Sequence, residues 1–186
     1  MGAEQATRLE TTHRSSQSSP RRSREFGEKE PGRRFVLDVL IVQDNRDTLE
    51  GLGCLLQSHG HGITLARGGV EARALLSVRS FDVVLSDWQM PYVSGVDLCR
   101  IARAGGYKTY TYFIFLTCFG DKEHFIEAMR AGADDVLAKP CSIQEIDVRL
   151  TAAARVIGLH RRLEAQNASL RDDCQRQFNK ARTEQL

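Results

Sequence analysis

Four short apolar runs, each followed by polar residues, constrain this chain more than any other feature. Val36 to Val42 leads into Gln43-Asp44, and Phe81 to Leu85, broken only by Asp82, leads to Asp87. Tyr112 to Leu116 leads into Thr117, and Val136 to Ala138 into Lys139-Pro140. Runs of this length and composition suit strands buried on both faces. The first strand is read from Phe35, and a further strand is expected at Ile63 to Ala66. Amphipathic stretches lie between the runs. One spans about Arg46 to His59, with Leu49, Leu52, Leu55 and Leu56 on its buried face. Another is Val70 to Val78, with Ala74, Leu75 and Val78 inward. Val96 to Arg103 and about Lys122 to Ala131 complete the set. Strand–helix alternation with short loops predicts a parallel sheet covered on both faces.

In such a sheet, ligands sit beyond the carboxyl ends of the strands. If the strands are parallel neighbours, Asp44, Asp87, Thr117 and Lys139 converge on one rim. Two carboxylates suit a hard divalent cation such as Mg²⁺, and a lysine with a hydroxyl suits phosphoryl oxygens. Each residue also has a plainer reading. Asp87 alone would serve as a helix N-cap or a turn aspartate, and Lys139 alone as a surface lysine beside a turn. Pro91 and Gly95 punctuate a loop after Asp87, before the next helix begins.

Taken together, Asp44, the run Asp87-Trp88-Gln89-Met90-Pro91 with Gly95, Thr117, Gly132-Ala133-Asp134-Asp135 and Lys139-Pro140 resemble the receiver domain of two-component response regulators. The likeness covers roughly Phe35 to Leu150. It implies a flavodoxin-like, doubly wound α/β fold with a five-stranded parallel sheet in the order 2-1-3-4-5. It further implies that Asp87 accepts a phosphoryl group from the phosphohistidine of a histidine kinase or phosphotransfer protein. Mg²⁺ would be held by Asp44, Asp87 and the backbone carbonyl of Gln89. Lys139 would pair with a phosphoryl oxygen or the Asp87 carboxylate, and Thr117 would hydrogen-bond the phosphoryl group.

Three positions depart from the family's pattern. Gln43 stands where the family usually has a second acid that holds a metal-bound water, so the metal should bind more weakly. Val136 stands where an aromatic residue usually swings inward with the threonine. Cys141 follows Lys139-Pro140 in place of an apolar residue. In receivers the residues two after the aspartate and two after the threonine flank the path of the hydrolytic water. Here they are Gln89 and Phe119, and an apolar Phe119 is expected to shield the phosphoryl group.

The flanks read differently from the core. Residues 1–34 hold only Met1, Leu9 and Phe26 as bulky apolar side chains, and are expected to be a disordered tail with the basic clusters Arg21-Arg22-Ser23-Arg24 and Arg33-Arg34. Ser142 and Glu145 form a capping box that opens the last helix. A receiver's fifth helix would stop near Val156, yet helical composition continues to about Lys180, so 151–186 reads as a helical extension of a receiver at 35–150. One heptad register places Val156, Leu163 and Leu170 at d and Ala153, His160, Asn167 and Cys174 at a, a candidate dimeric coiled coil.

Composition removes several function classes. A net charge of +2 over 186 residues argues against nucleic-acid binding driven by bulk charge. Five scattered cysteines with no Cys-x-x-Cys pair fit reduced thiols in a cytoplasmic protein. No apolar run approaches a membrane span. The expected role is that of a phosphoacceptor, not an enzyme, signalling through its last helix. The Tyr112 to Thr117 run and the long charged helix resemble receivers that precede diguanylate cyclase domains, although no Gly-Gly-Asp/Glu-Glu-Phe signature occurs. The alternative is a degenerate receiver used as a phosphorylation-independent binding or dimerisation module. A flavodoxin-like cofactor binder is disfavoured because Gln43-Asp44-Asn45 would repel a phosphate.

Overall fold

A computed structural model of the chain describes residues 35–105, 109–118 and 122–183. The expected tail over 1–34 and the shielding residue Phe119 lie outside the described residues. The elements follow in strict alternation: β1 Asp38–Gln43, α1 Arg46–Ser58, β2 Gly62–Arg67, α2 Gly69–Val78, β3 Val83–Asp87, α3 Gly95–Ala104, β4 Tyr112–Thr117, α4 Lys122–Ala131, β5 Asp135–Ala138 and α5 Ile143–Thr183. All strand pairs are parallel and the order is β2-β1-β3-β4-β5. This is the flavodoxin-like architecture that the sequence implied.

Strand side chains alternate between two cores, as the period of two demands. Leu40, Val42, Val84, Phe113 and Phe115 face one cluster, covered by α2, α3 and α4. Val39, Ile41, Leu85, Ile114 and Leu116 face the other, covered by α1 and α5. Burial on both faces explains why these strands read as unbroken apolar runs. Helix starts are set by side-chain caps. Asn45 Oδ1 accepts from the Thr48 amide at 2.9 Å. Ser94 and Asp97 close a reciprocal capping box on α3. The predicted box on α5 is present: Glu145 accepts from the Ser142 amide at 2.6 Å, while Ser142 Oγ accepts from the Glu145 amide at 3.2 Å. The bonds that its carboxylate accepts from the Ser142 amide and hydroxyl hold the Glu145 carboxyl below its usual range.

The register of two helices differs from expectation. Leu55 is exposed on α1, where Leu49, Leu52 and Leu56 face the sheet. On α2, Val78 is 79% exposed and Ala74 is exposed, whereas Ala72 and Leu76 are buried. The cause is a close approach at the start of α2. A Cβ on Gly69 would lie 2.1 Å from the Val93 carbonyl oxygen. The helix therefore abuts the loop after β3, and this rotation turns Ala72 and Leu76 toward the sheet. β1 also begins at Asp38, because Phe35 and Val36 project into solvent.

The first part of the heptad register does not form a seam with another chain. Ala153 is fully buried in the domain's own core and Val156 packs against it. His160 is stacked on Tyr110, with ring centroids 4.1 Å apart and planes 4° from parallel. Arg161 pairs with Asp82, whose other oxygen accepts from the Asp38 amide at 3.0 Å. α5 is thus anchored at the amino-terminal pole of the sheet. From there it runs on with every described side chain from Arg162 to Lys180 exposed.

Candidate phosphoacceptor site

β1, β3, β4 and β5 end together at one rim. The register pairs Val42 with Ser86, Asp87 with Leu116 and Thr117 with Ala138. Gln43, Asp87, Thr117 and Lys139 therefore stand at the carboxyl ends of adjacent strands, as their spacing required. Asp44 follows Gln43 and is exposed.

Asp87 is the centre of the arrangement. Its Oδ1 accepts from the Trp88 amide at 2.8 Å, and its Oδ2 pairs with Lys139 Nζ at 2.7 Å. The acid and lysine side chains retain 18% and 22% of their exposure, so the pair is held in place yet open to an approaching group. Lys139 is positioned by its own backbone, whose amide donates to the Thr117 carbonyl at 2.7 Å. Thr117 itself is buried. The loop after Asp87 folds back sharply: the Gly95 amide donates to the Trp88 carbonyl at 3.0 Å. A Cβ on Gly95 would stand 2.1 Å from the Asp87 carbonyl oxygen, so glycine is obligatory for this approach.

Gln43 does more than sequence reasoning assigned to it. Its Oε1 accepts from Lys139 Nζ at 3.2 Å, giving the lysine a second, neutral partner. Its Nε2 is buried and has no hydrogen-bond partner among the described residues. The adjacency of Gln43 and Lys139 on one rim was the available signal for this bond. A buried amide N–H left unpaired costs free energy until it finds an acceptor.

The two other departures acquire physical accounts. Cys141 is half-buried and packs against the core beneath α5, so the thiol serves as a small apolar side chain. Burial is the main cause that pushes its ionisation upward. Val136 packs against the opposite core. In the same core, Trp88 stacks obliquely on Phe115 at 4.9 Å and edge-on to His124 at 5.4 Å. Trp88 is thus the aromatic side chain that joins the acid's loop to α4.

Comparison with known proteins places the domain that carries this rim. The profile of the response regulator receiver domain matches residues 39–151, more than half of the chain. The chain belongs to the response regulator receiver family. The receiver is 32% identical over 120 residues to the phosphate regulon transcriptional regulatory protein PhoB of Pseudomonas aeruginosa, covering 64% of this chain and 52% of that one. It is 33% identical over 117 residues to the response regulator MprA of a Mycobacterium species, covering 63% of this chain and 50% of that one. The chain thus spans about half the length of the curated relatives it matches. Among solved structures, it is similar to a Francisella response regulator receiver domain, with a TM-score of 0.59 at 32% identity over 63% of this chain and 95% of that one. It is also similar to the receiver domain of a Pseudomonas aeruginosa sensor histidine kinase. There the TM-score is 0.58 at 27% identity, over 67% of this chain and 99% of that one. That structure has a magnesium ion coordinated in its active site cleft.

The donor set of this receiver fits Mg²⁺ in a reduced form. Asp44 and Asp87 supply hard anionic oxygens and the exposed Gln89 offers a backbone carbonyl. Among the described residues no cluster of three or more acidic, histidine or cysteine side chains adds further charge. Gln43 is neutral and adds no charge to this donor set.

Proposed function

We propose that this receiver accepts a phosphoryl group on Asp87 from a phosphohistidine, carried by a histidine kinase or a phosphotransfer protein. One observation carries this reading: the Asp87 carboxylate meets Lys139 Nζ at 2.7 Å on a solvent-open rim. A carboxylate oxygen of Asp87 forms the new bond to phosphorus as the bond from phosphorus to the imidazole nitrogen breaks. Such transfer depends on alignment and charge neutralisation. Lys139 is placed to move from the carboxylate to a phosphoryl oxygen, and Gln43 and Thr117 offer donors to the others. Bound Mg²⁺, held by Asp44, Asp87 and the Gln89 carbonyl, would supply further neutralisation of charge.

On this reading the chain is a phosphoacceptor, not an enzyme with its own substrate turnover, and its output passes through α5 to a second copy. It acts in the cytoplasm; no helix of the described residues is long and apolar enough to cross a membrane. The long charged α5 further supports kinship with receivers that precede diguanylate cyclase domains. A phosphorylation-independent binding module would have no need for an open, lysine-paired Asp87.

The test is incubation with Mg²⁺ and a small phosphodonor such as acetyl phosphate, followed by intact mass. A single adduct is expected on the wild-type chain. A second prediction concerns the metal. Gln43→Asp adds a negative charge beside Asp44, and should tighten Mg²⁺ binding by on the order of 1 kcal/mol. Trp88 adjoins the acid and reports the titration by fluorescence. Equal affinity in mutant and wild type would remove the charge argument.

A further inference from the structure

Of the large apolar side chains that α5 leaves exposed, Leu163 and Leu170 keep the heptad read from the sequence, whereas Val148, Leu159 and Phe178 fall outside it. Val148, Leu159 and Leu170 recur at intervals of eleven residues, and so do Ala152, Leu163 and Cys174. Val148, Leu159, Leu163 and Leu170 are 67%, 64%, 55% and 65% exposed, Cys174 is exposed and Ala152 is half-buried. Eleven residues make three turns of about 3.67 residues, close to the undistorted α-helix, whereas a heptad stripe drifts around it. The six positions therefore form one nearly straight stripe. It begins on the outer face of the receiver, on the side of α5 turned away from Leu150, Ala153 and Ile157, and continues along the free part of the helix.

We propose that this stripe seats a second copy of the chain, with the two α5 helices parallel and in register. The inference rests on the reading that α5 carries the output, and names the face and orientation it uses. A straight stripe of this length fits another helix running alongside. Its flanks suit the same sequence: Arg162 and Asp173 border one side, Glu164 and Arg171 the other. In a parallel two-fold pair, one flank faces the opposite flank of the second copy. Arg162 then meets Glu164, and Asp173 meets Arg171, so opposite charges oppose along the seam. Parallel alignment also covers Val148 and Ala152 on both receivers. It places Cys174 beside its own counterpart.

The test uses the full chain. Light scattering should give a dimer for wild type and a monomer for Leu163→Glu/Leu170→Glu. The double variant should keep the wild-type thermal transition of the receiver and its phosphodonor adduct, which separates this proposal from the phosphoacceptor reading. Val148→Lys, outside the heptad seam, should weaken the dimer about tenfold, equivalent to 1.4 kcal/mol. In a Cys54→Ser/Cys118→Ser background, a short bis-maleimide should link two chains through Cys174, each thiol adding across one maleimide, and Cys174→Ser should abolish the link. A wild-type monomer at high micromolar concentration would overturn the proposal. So would a dimer indifferent to the double substitution or to Val148→Lys. A dimer that Cys174 does not cross-link would show antiparallel pairing and equally overturn it.

Discussion

Lys139→Ala should lower the rate of Asp87 phosphorylation by about a hundredfold or more, the scale seen when one preorganised charge or donor is removed from a transition state. The side chain sits 2.7 Å from Asp87 Oδ2 and is steadied by Gln43 Oε1 at 3.2 Å. Its position is therefore fixed before any phosphoryl group arrives. On the proposed mechanism, two negative groups must approach each other at Asp87, and Lys139 is the cation in contact with it. The fold should survive the change, because Lys139 is one-fifth exposed and its anchoring amide bond to Thr117 belongs to the backbone. The measurement is the initial rate of adduct formation with a small phosphodonor at fixed Mg²⁺. Lys139→Arg should restore part of the rate by keeping the charge in an altered shape. A Lys139→Ala rate equal to wild type would mean that the lysine plays no part in transfer.

Asp134→Ala should cost about 3–5 kcal/mol of stability, the scale for removing one partner of a largely buried ion pair. Asp134 Oδ2 accepts from Arg103 at 2.7 Å and from the Phe113 amide at 2.7 Å, and Oδ1 accepts from the Tyr110 hydroxyl. Arg103 also donates to the carbonyls of Gly132 and Thr111 at 2.7 and 2.8 Å. One carboxylate thus ties α3, β4 and the turn before β5, and through Tyr110 it supports the stack on His160 of α5. Asp135→Ala provides the contrast. Its partner Arg149 is 47% exposed, and loss of such a pair costs about 1 kcal/mol or less. Urea midpoints of both variants check this. Comparable midpoints would show that the Asp134 network does not hold the fold.

How much of this was legible in the residues depended on the kind of information required. Strand positions and the converging rim were readable because burial on both faces writes unbroken apolar runs, and because a parallel sheet brings their ends together. The faces of α1 and α2 were not, since Leu55 and Val78 are as apolar as the residues that turn inward. What rotates α2 is the close approach of Gly69 to Val93, a contact made across the fold. The Gly132-Ala133-Asp134-Asp135 run marked the family, yet its work as an Arg103 and Tyr110 acceptor needs partners from three separate elements. Along α5 the heptad merged residues buried by the receiver, such as Ala153, with residues left in solvent, such as Leu170. Only exposure separates the two sets and reveals the eleven-residue spacing.

The central claim is that Asp87 takes up a phosphoryl group. Intact mass after incubation with Mg²⁺ and acetyl phosphate tests it most directly. The account predicts one phosphoryl adduct on wild type, lost on Asp87→Asn and released by hydroxylamine, which cleaves acyl phosphates. A wild-type chain that stays unmodified, or an adduct that persists on Asp87→Asn, would contradict it.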